Sequence, residues 1–208
     1  MFKKIIEGGA NYIKYGWKQI MRLLQYPFKK WSFAEWHLSS TIVSTIRITP
    51  KYIRMGRNTF VWKNARIQAF PTYRGTSYNP MIILHDGVTI QQNVHITCAE
   101  RIEIGENTAI VANVTITDII HPYTAKDEHM NDQKLVVKPV SIGPYCSIFN
   151  NAVILAGVTI GKHVVIGANS VVTHDLPDYC IAVGNPARII KRYNPTTDKW
   201  EKVNESAN

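Results

Sequence analysis

From residue 142 the chain counts in sixes: Ile142, Ile148, Ile154, Ile160, Ile166 and Val172 open six consecutive hexads. The same step runs through Ile104, Ile110 and Ile116, through Leu84, Ile90 and Ile96, and through Met55, Val61 and Ile67. The fifth position of the long run is small, β-branched or aliphatic: Cys146, Ala152, Val158, Val164, Ser170 and Leu176. The second position is often glycine, at 105, 143, 161 and 167. A helix would place its apolar stripe at spacings of three and four. A half-buried strand would alternate every two residues. A period of six with turn residues between means a short strand, a turn and a short strand, repeated. Three such strands close a triangular coil of about eighteen residues, and like residues stack from coil to coil. The expected fold is therefore all-β, a parallel β-helix of about five coils spanning residues 42–193. The left-handed form would be an exception to the right-handed crossover rule, and the hexads alone leave the hand open.

The count breaks in three places. Residues 68–83 are rich in Pro, Gly, Tyr and Ser and read as a loop. Residues 97–103 carry a two-residue slip. The long break, 118–141, begins beside His121-Pro122. Extruding some twenty residues from a packed coil costs closure entropy and adds no core, so such a loop calls for a functional reason. Loops on rigid scaffolds are where reactive side chains concentrate.

Composition narrows the function classes. The apolar runs are short and interrupted by charge, and the first residues lack the continuous apolar stretch of a signal peptide. Three cysteines, Cys98, Cys146 and Cys180, form no C-x-x-C, which points to a reducing, cytoplasmic setting. The formal charge of +9 is uneven: residues 1–31 hold seven basic residues against Glu7. That clustering, mixed with aliphatics, disfavours nucleic acid as a partner. Within residues 1–41, Ile5, Ile6, Ile13, Trp17, Ile20, Leu23 and Leu24 recur at roughly helical spacing. This basic helical segment either caps the open end of the coil, where strand edges would be exposed, or meets an anionic membrane surface. Residues 194–208 read as a tail.

The hexads, the excursion at His121 and the stretches "VTIGKHVVIGANSVVTHDLPD" and "VGNPARIIK" together resemble the hexapeptide-repeat acetyltransferases. The likeness spans roughly residues 55–193 and is strongest to the sugar and capsule O-acetyltransferase branch. It implies a left-handed β-helix, a homotrimer and acetyl-CoA held in a groove between subunits. It also implies that His121 is the catalytic general base. Imidazole titrates near about pH 6.5 and can take the proton of a hydroxyl attacking a thioester. Matching positions place Asn150, Ala168, Thr173, His174, Arg188 and Lys191 at the coenzyme, with Arg188 and Lys191 facing its phosphates. Ser77 and Gln91, with Asn93 nearby, fall at the saccharide acceptor. The sugar enzymes often have tryptophan where Ser147 stands and lysine where His174 stands. Asp118, Asp127 and Glu128 either orient the imidazole or are ordinary solvated loop charges, and Tyr73, Tyr78 and Tyr123 either stack on a sugar or pack the loops.

Three rival readings are weaker. A zinc enzyme of this fold needs three histidines; His85 and His121 are two coils apart, but Lys126 occupies the third position. A non-catalytic trimeric scaffold has no need of the His-Pro and GNPAR-type motifs. An N-acetyltransferase on a nucleotide-linked amino sugar often carries a nucleotide-binding domain before the coils. Here only 54 residues precede the first counted hexad.

Overall fold

The computed structural model describes residues 20–203, Arg22 excepted. The helical pattern expected over residues 1–19 and the last residues of the expected tail lie outside them. The chain winds as a left-handed parallel β-helix with three flat faces. The first face carries Glu35–Trp36, Ile53–Met55, Met81–Leu84, Arg101–Ile104, Val140–Ile142 and Thr159–Ile160. The second begins with Thr41–Ile42 and continues through Phe60–Val61, Thr89–Ile90, Ala109–Ile110, Ser147–Ile148 and Val165–Ile166. The third holds Thr45–Ile48, Ala65–Ala69, His95–Cys98, Thr115–Thr117, Val153–Ile154 and Val171–Val172.

The hexad residues stack in register. Met55 lies on Leu84, then Ile104, Ile142 and Ile160. Val61, Ile90, Ile110, Ile148 and Ile166 form the second column, and Ile67, Ile96, Ile116, Ile154 and Val172 the third. These side chains are buried, and the fifth-position residues fill the space between the columns. The glycines have a steric cause. A Cβ on Gly105 would stand 2.6 Å from the carbonyl carbon of Gly143, and one on Gly143 as close to that of Gly161. Stacked backbones touch there, and no side chain fits.

Six full coils are present, one more than expected. The extra coil comes first: Trp36, Ile42 and Ile48 are also six apart, and they pair with Met55, Val61 and Ile67. The β-helix therefore starts at Glu35, inside the segment expected to be helical, because Trp36 does the work of an aliphatic hexad residue. The other end also runs on. Cys180–Gly184, Ala187–Asn194 and Lys199–Lys202 extend the second face, the last two antiparallel. About a third of the expected tail is thus a sheet edge.

The corners between faces differ, and the difference positions the site. At the second-to-third corner Asn64, Asn93, Asn113, Asn151 and Asn169 all have positive φ, a conformation asparagine tolerates. Their amides form a ladder, Asn93 to Asn113 to Asn151 to Asn169, at 2.9–3.0 Å. At the first-to-second corner Asn58 and Asn107 give way to Tyr145, His163 and Tyr179, also at positive φ, with rings 5.1 and 5.4 Å apart. The third-to-first corner has no such ladder, and both long insertions leave from it.

Candidate active site

After the second coil the third-to-first corner throws out a hairpin, Thr72–Tyr73 against Thr76–Ser77. After the fourth it throws out the arm that follows Thr117. The arm is zipped at its neck by Ile119–Ile120 against Val136–Val137, and Lys138 N–H donates to the Asp118 carbonyl. His121 is the first residue beyond that neck.

The two insertions, about fifty residues apart in sequence, interlock. The Tyr73 hydroxyl donates to the Asn131 carbonyl at 2.8 Å, and Arg74 pairs with Asp132 at 2.8 Å. The Tyr78 hydroxyl accepts from the Leu135 N–H at 2.9 Å. The Tyr73 ring meets the His121 ring edge to face, centroids 5.7 Å apart. Tyr73 and Tyr78 therefore clamp the arm, while Tyr123 is exposed. His121 is half-buried, and its Nδ1 is buried with no hydrogen-bond partner in the chain. Among the described residues it is the one buried side-chain polar atom in that condition. A desolvated nitrogen without a partner is costly, and such sites mark where an outside group belongs.

Asp118 is neither a solvated loop charge nor a partner of the imidazole. It is fully buried, and its carboxylate accepts from the N–H groups of Ala99, Glu100 and Arg101 at 2.7, 2.8 and 2.8 Å. The Cys98 thiol adds a fourth donor at 3.2 Å. Burial, and then the Asp118 charge, push that thiol's pKa far up, so it stays a donor. Asp118 thus bolts the base of the arm to the turn of the coil below, three residues before His121. Asp127 and Glu128 are exposed.

The remaining expected site residues divide between places. Ser77 is exposed on the hairpin, on the His121 corner. Thr173 and His174, joined side chain to side chain at 2.7 Å, lie on the same corner after the sixth coil. Gln91, Asn93, Asn150 and Ala168 lie on the opposite edge of the third face, and the Asn150 carbonyl accepts from Asn169 N–H. The Asn93 amide is held in the asparagine ladder. Within one chain these two groups flank the third face and do not meet.

Arg188 and His174 do meet, in a cleft of about 320 Å³ lined also by Asp175, Leu176, Ala187 and Ile189. The exposed Arg188 guanidinium touches only the Ala187 carbonyl, at 3.2 Å, and Asp175 is occupied by the Thr159 N–H. Lys191, half-buried, follows on the same strand. A cleft with an apolar wall and a mostly uncommitted guanidinium fits a phosphate-bearing thioester carrier. A second cleft of about 330 Å³ lies on the first face, beside His85, Glu103 and Glu106. Its two carboxylates suit a polyanion poorly. His85 is held by Glu103 at 2.7 Å, and Glu103 also by Arg101. No group of three metal-ligating residues occurs among the described residues. Cys146, fully buried with its thiol pKa raised by burial, belongs to the core.

The hexapeptide repeat of bacterial transferases (six repeats) matches residues 139–174. The protein named lipopolysaccharide biosynthesis O-acetyl transferase WbbJ, of Escherichia coli K12, is 35% identical over 158 residues, covering 73% of this chain and 77% of that one. A galactoside acetyltransferase solved with coenzyme A is 25% identical, covers 87% of this chain and 78% of its own, and has a TM-score of 0.54. AntD, an N-acyltransferase from Bacillus cereus solved with dTDP and 3-hydroxybutyryl-CoA, is 19% identical over 83% of this chain and 90% of its own. Its TM-score of 0.68 shows likeness of fold. The chain belongs to the hexapeptide-repeat acetyltransferase superfamily and is an acyl-CoA-dependent acyltransferase.

Proposed function

We propose that the protein transfers an acetyl group from acetyl-CoA to a hydroxyl of a saccharide, a polysaccharide or lipopolysaccharide precursor, with His121 as general base. The observation that carries this is the buried, unpartnered Nδ1 of a histidine at the neck of an arm that the coil has no structural reason to extrude. The name of WbbJ supports O-transfer in lipopolysaccharide biosynthesis, and that of the galactoside enzyme a sugar acceptor.

Acetyl-CoA, when bound, supplies the acyl group as a thioester. Arg188 and Lys191 hold its phosphates, with His174 and Thr173 beside them and Asn150 and Ala168 offering backbone and amide groups. Ser77, Gln91 and Asn93 face the acceptor hydroxyls, and His121 removes the proton of the one that reacts. Because the two groups lie on opposite edges of the third face, one subunit's His121 corner completes its site against a neighbour's asparagine edge. This favours a homotrimer, the three-fold closure natural to a prism with flat faces. Three buried, unpaired cysteines support work in the cytoplasm.

The test is His121→Ala and His121→Asn, assayed by thiol release from acetyl-CoA across a panel of acceptor saccharides. Both should lose about 10²–10⁴ in kcat. Acetyl-CoA affinity should stay near that of the unaltered protein, since the cationic cleft lies at the far end of the coil. Full turnover in His121→Ala would place the base elsewhere, and His85 and His95 would be the next candidates.

A further inference from the structure

Residues 23–32 form a helix seated on the coil by one side only. On that side Tyr26 packs against the core, and the Lys29 ammonium lies 4.6 Å over the Trp36 ring. Leu24, Phe28 and Trp31 follow at i, i+4 and i+7, so they share one face. They are 68%, 68% and 84% exposed, with Ile20 and Leu23 open beside them. Contiguous apolar surface of this kind on a folded chain marks a contact site.

Charge decides among occupants. Residues 1–31 carry +6 of the chain's +9, and on the helix Lys30 is exposed with its ammonium 5.9 Å over the Tyr26 ring. A second copy docked helix to helix would bring like charges together, Lys29 and Lys30 on each helix, in a segment whose sequence totals +6. An anionic bilayer meets both features: its acyl boundary takes the leucines and aromatics, and its headgroups take the lysines. We propose that this helix lies in the plane of an anionic membrane surface, apolar face inward, and holds the β-helix against it. No described helix is long and apolar enough to cross a membrane. The proposal does not depend on the acetyl-transfer reading.

The experiment is co-sedimentation of the full-length protein with vesicles of phosphatidylethanolamine and phosphatidylglycerol, and with neutral phosphatidylcholine vesicles. Binding to the anionic vesicles at about 0.05 M salt is expected, falling at least about ten-fold at about 0.5 M, where the Debye length has shrunk to a few ångströms. Phe28→Glu/Trp31→Glu should lose at least about ten-fold while its thermal stabilisation by CoA is unchanged. Absence of binding at low salt overturns the proposal, and so does equal binding by the double variant. A double variant that sediments with a smaller mass in the absence of vesicles also overturns it, because the face is then a contact between copies.

Discussion

Asp118→Asn separates the two jobs given to the neck of the arm, holding the coil and aiming the histidine. The carboxylate accepts from four donors. Asparagine keeps the shape but only one oxygen. In its better orientation that oxygen faces the N–H groups of Glu100 and Arg101, and both bonds fall from charge-assisted to neutral, about 1 kcal/mol each. Its NH₂ then faces the Ala99 N–H across a gap of 2.7 Å, donor against donor. A buried, unpaired donor costs about 1–3 kcal/mol, and burying an amide instead of an ion returns part of the loss. The net is about 3 kcal/mol. For a chain of this length each kcal/mol moves Tm by about 2–4 °C, so thermal unfolding at fixed protein concentration should fall by about 6–12 °C. Below its own transition the variant should lose kcat, because the neck that aims His121 has lost its bolt, while the Kd for CoA is unchanged. Asp127→Asn, on the exposed part of the arm, is the control and should change neither. A Tm within about 1 °C of the parent would refute the energetic argument. A lowered Tm with unchanged kcat would refute the positioning role.

Two further outcomes follow from the geometry. Arg188→Ala/Lys191→Ala should raise KM for acetyl-CoA at least about ten-fold and leave kcat within a few-fold, since the proposed phosphate contacts would contribute uniform binding; an unchanged KM would overturn the proposed phosphate site. Native protein at pH 8 should react slowly with a thiol reagent at all three cysteines, because burial raises each thiol's pKa, that of Cys180 to about 11. All three should react at once in denaturant, and a rapidly alkylated native cysteine would contradict their place in the core.

The hexads were legible because stacking is local and repetitive. Each isoleucine six residues after the last faces the same column, and Ile104, Ile110 and Ile116 could be placed without any partner in view. The departure of the arm was legible for the opposite reason, because the repetition stops there. Trp36, Ile42 and Ile48 keep the count but were missed, since a tryptophan breaks the aliphatic pattern and Ile42 and Ile48 are only half-buried at the end of the stack. Asp118 looked like a solvated loop charge. Nothing in its neighbours Thr117 and Ile119 reveals that the turn at Ala99 presents three N–H groups to it.

The sequence by itself determined the column each apolar residue joins and the point at which the arm leaves the coil, because period and its interruption are properties of the chain alone. Only the tertiary structure decided what surrounds the histidine. Tyr73 and Arg74 reach Asn131 and Asp132, and Asp118 reaches Ala99, because winding returns the chain to the same corner every coil. Hairpin, turn and arm are thereby stacked along one edge. The distance in sequence between them is set by insertions that leave no periodic trace, and so the contacts could be read only after the coil had been closed.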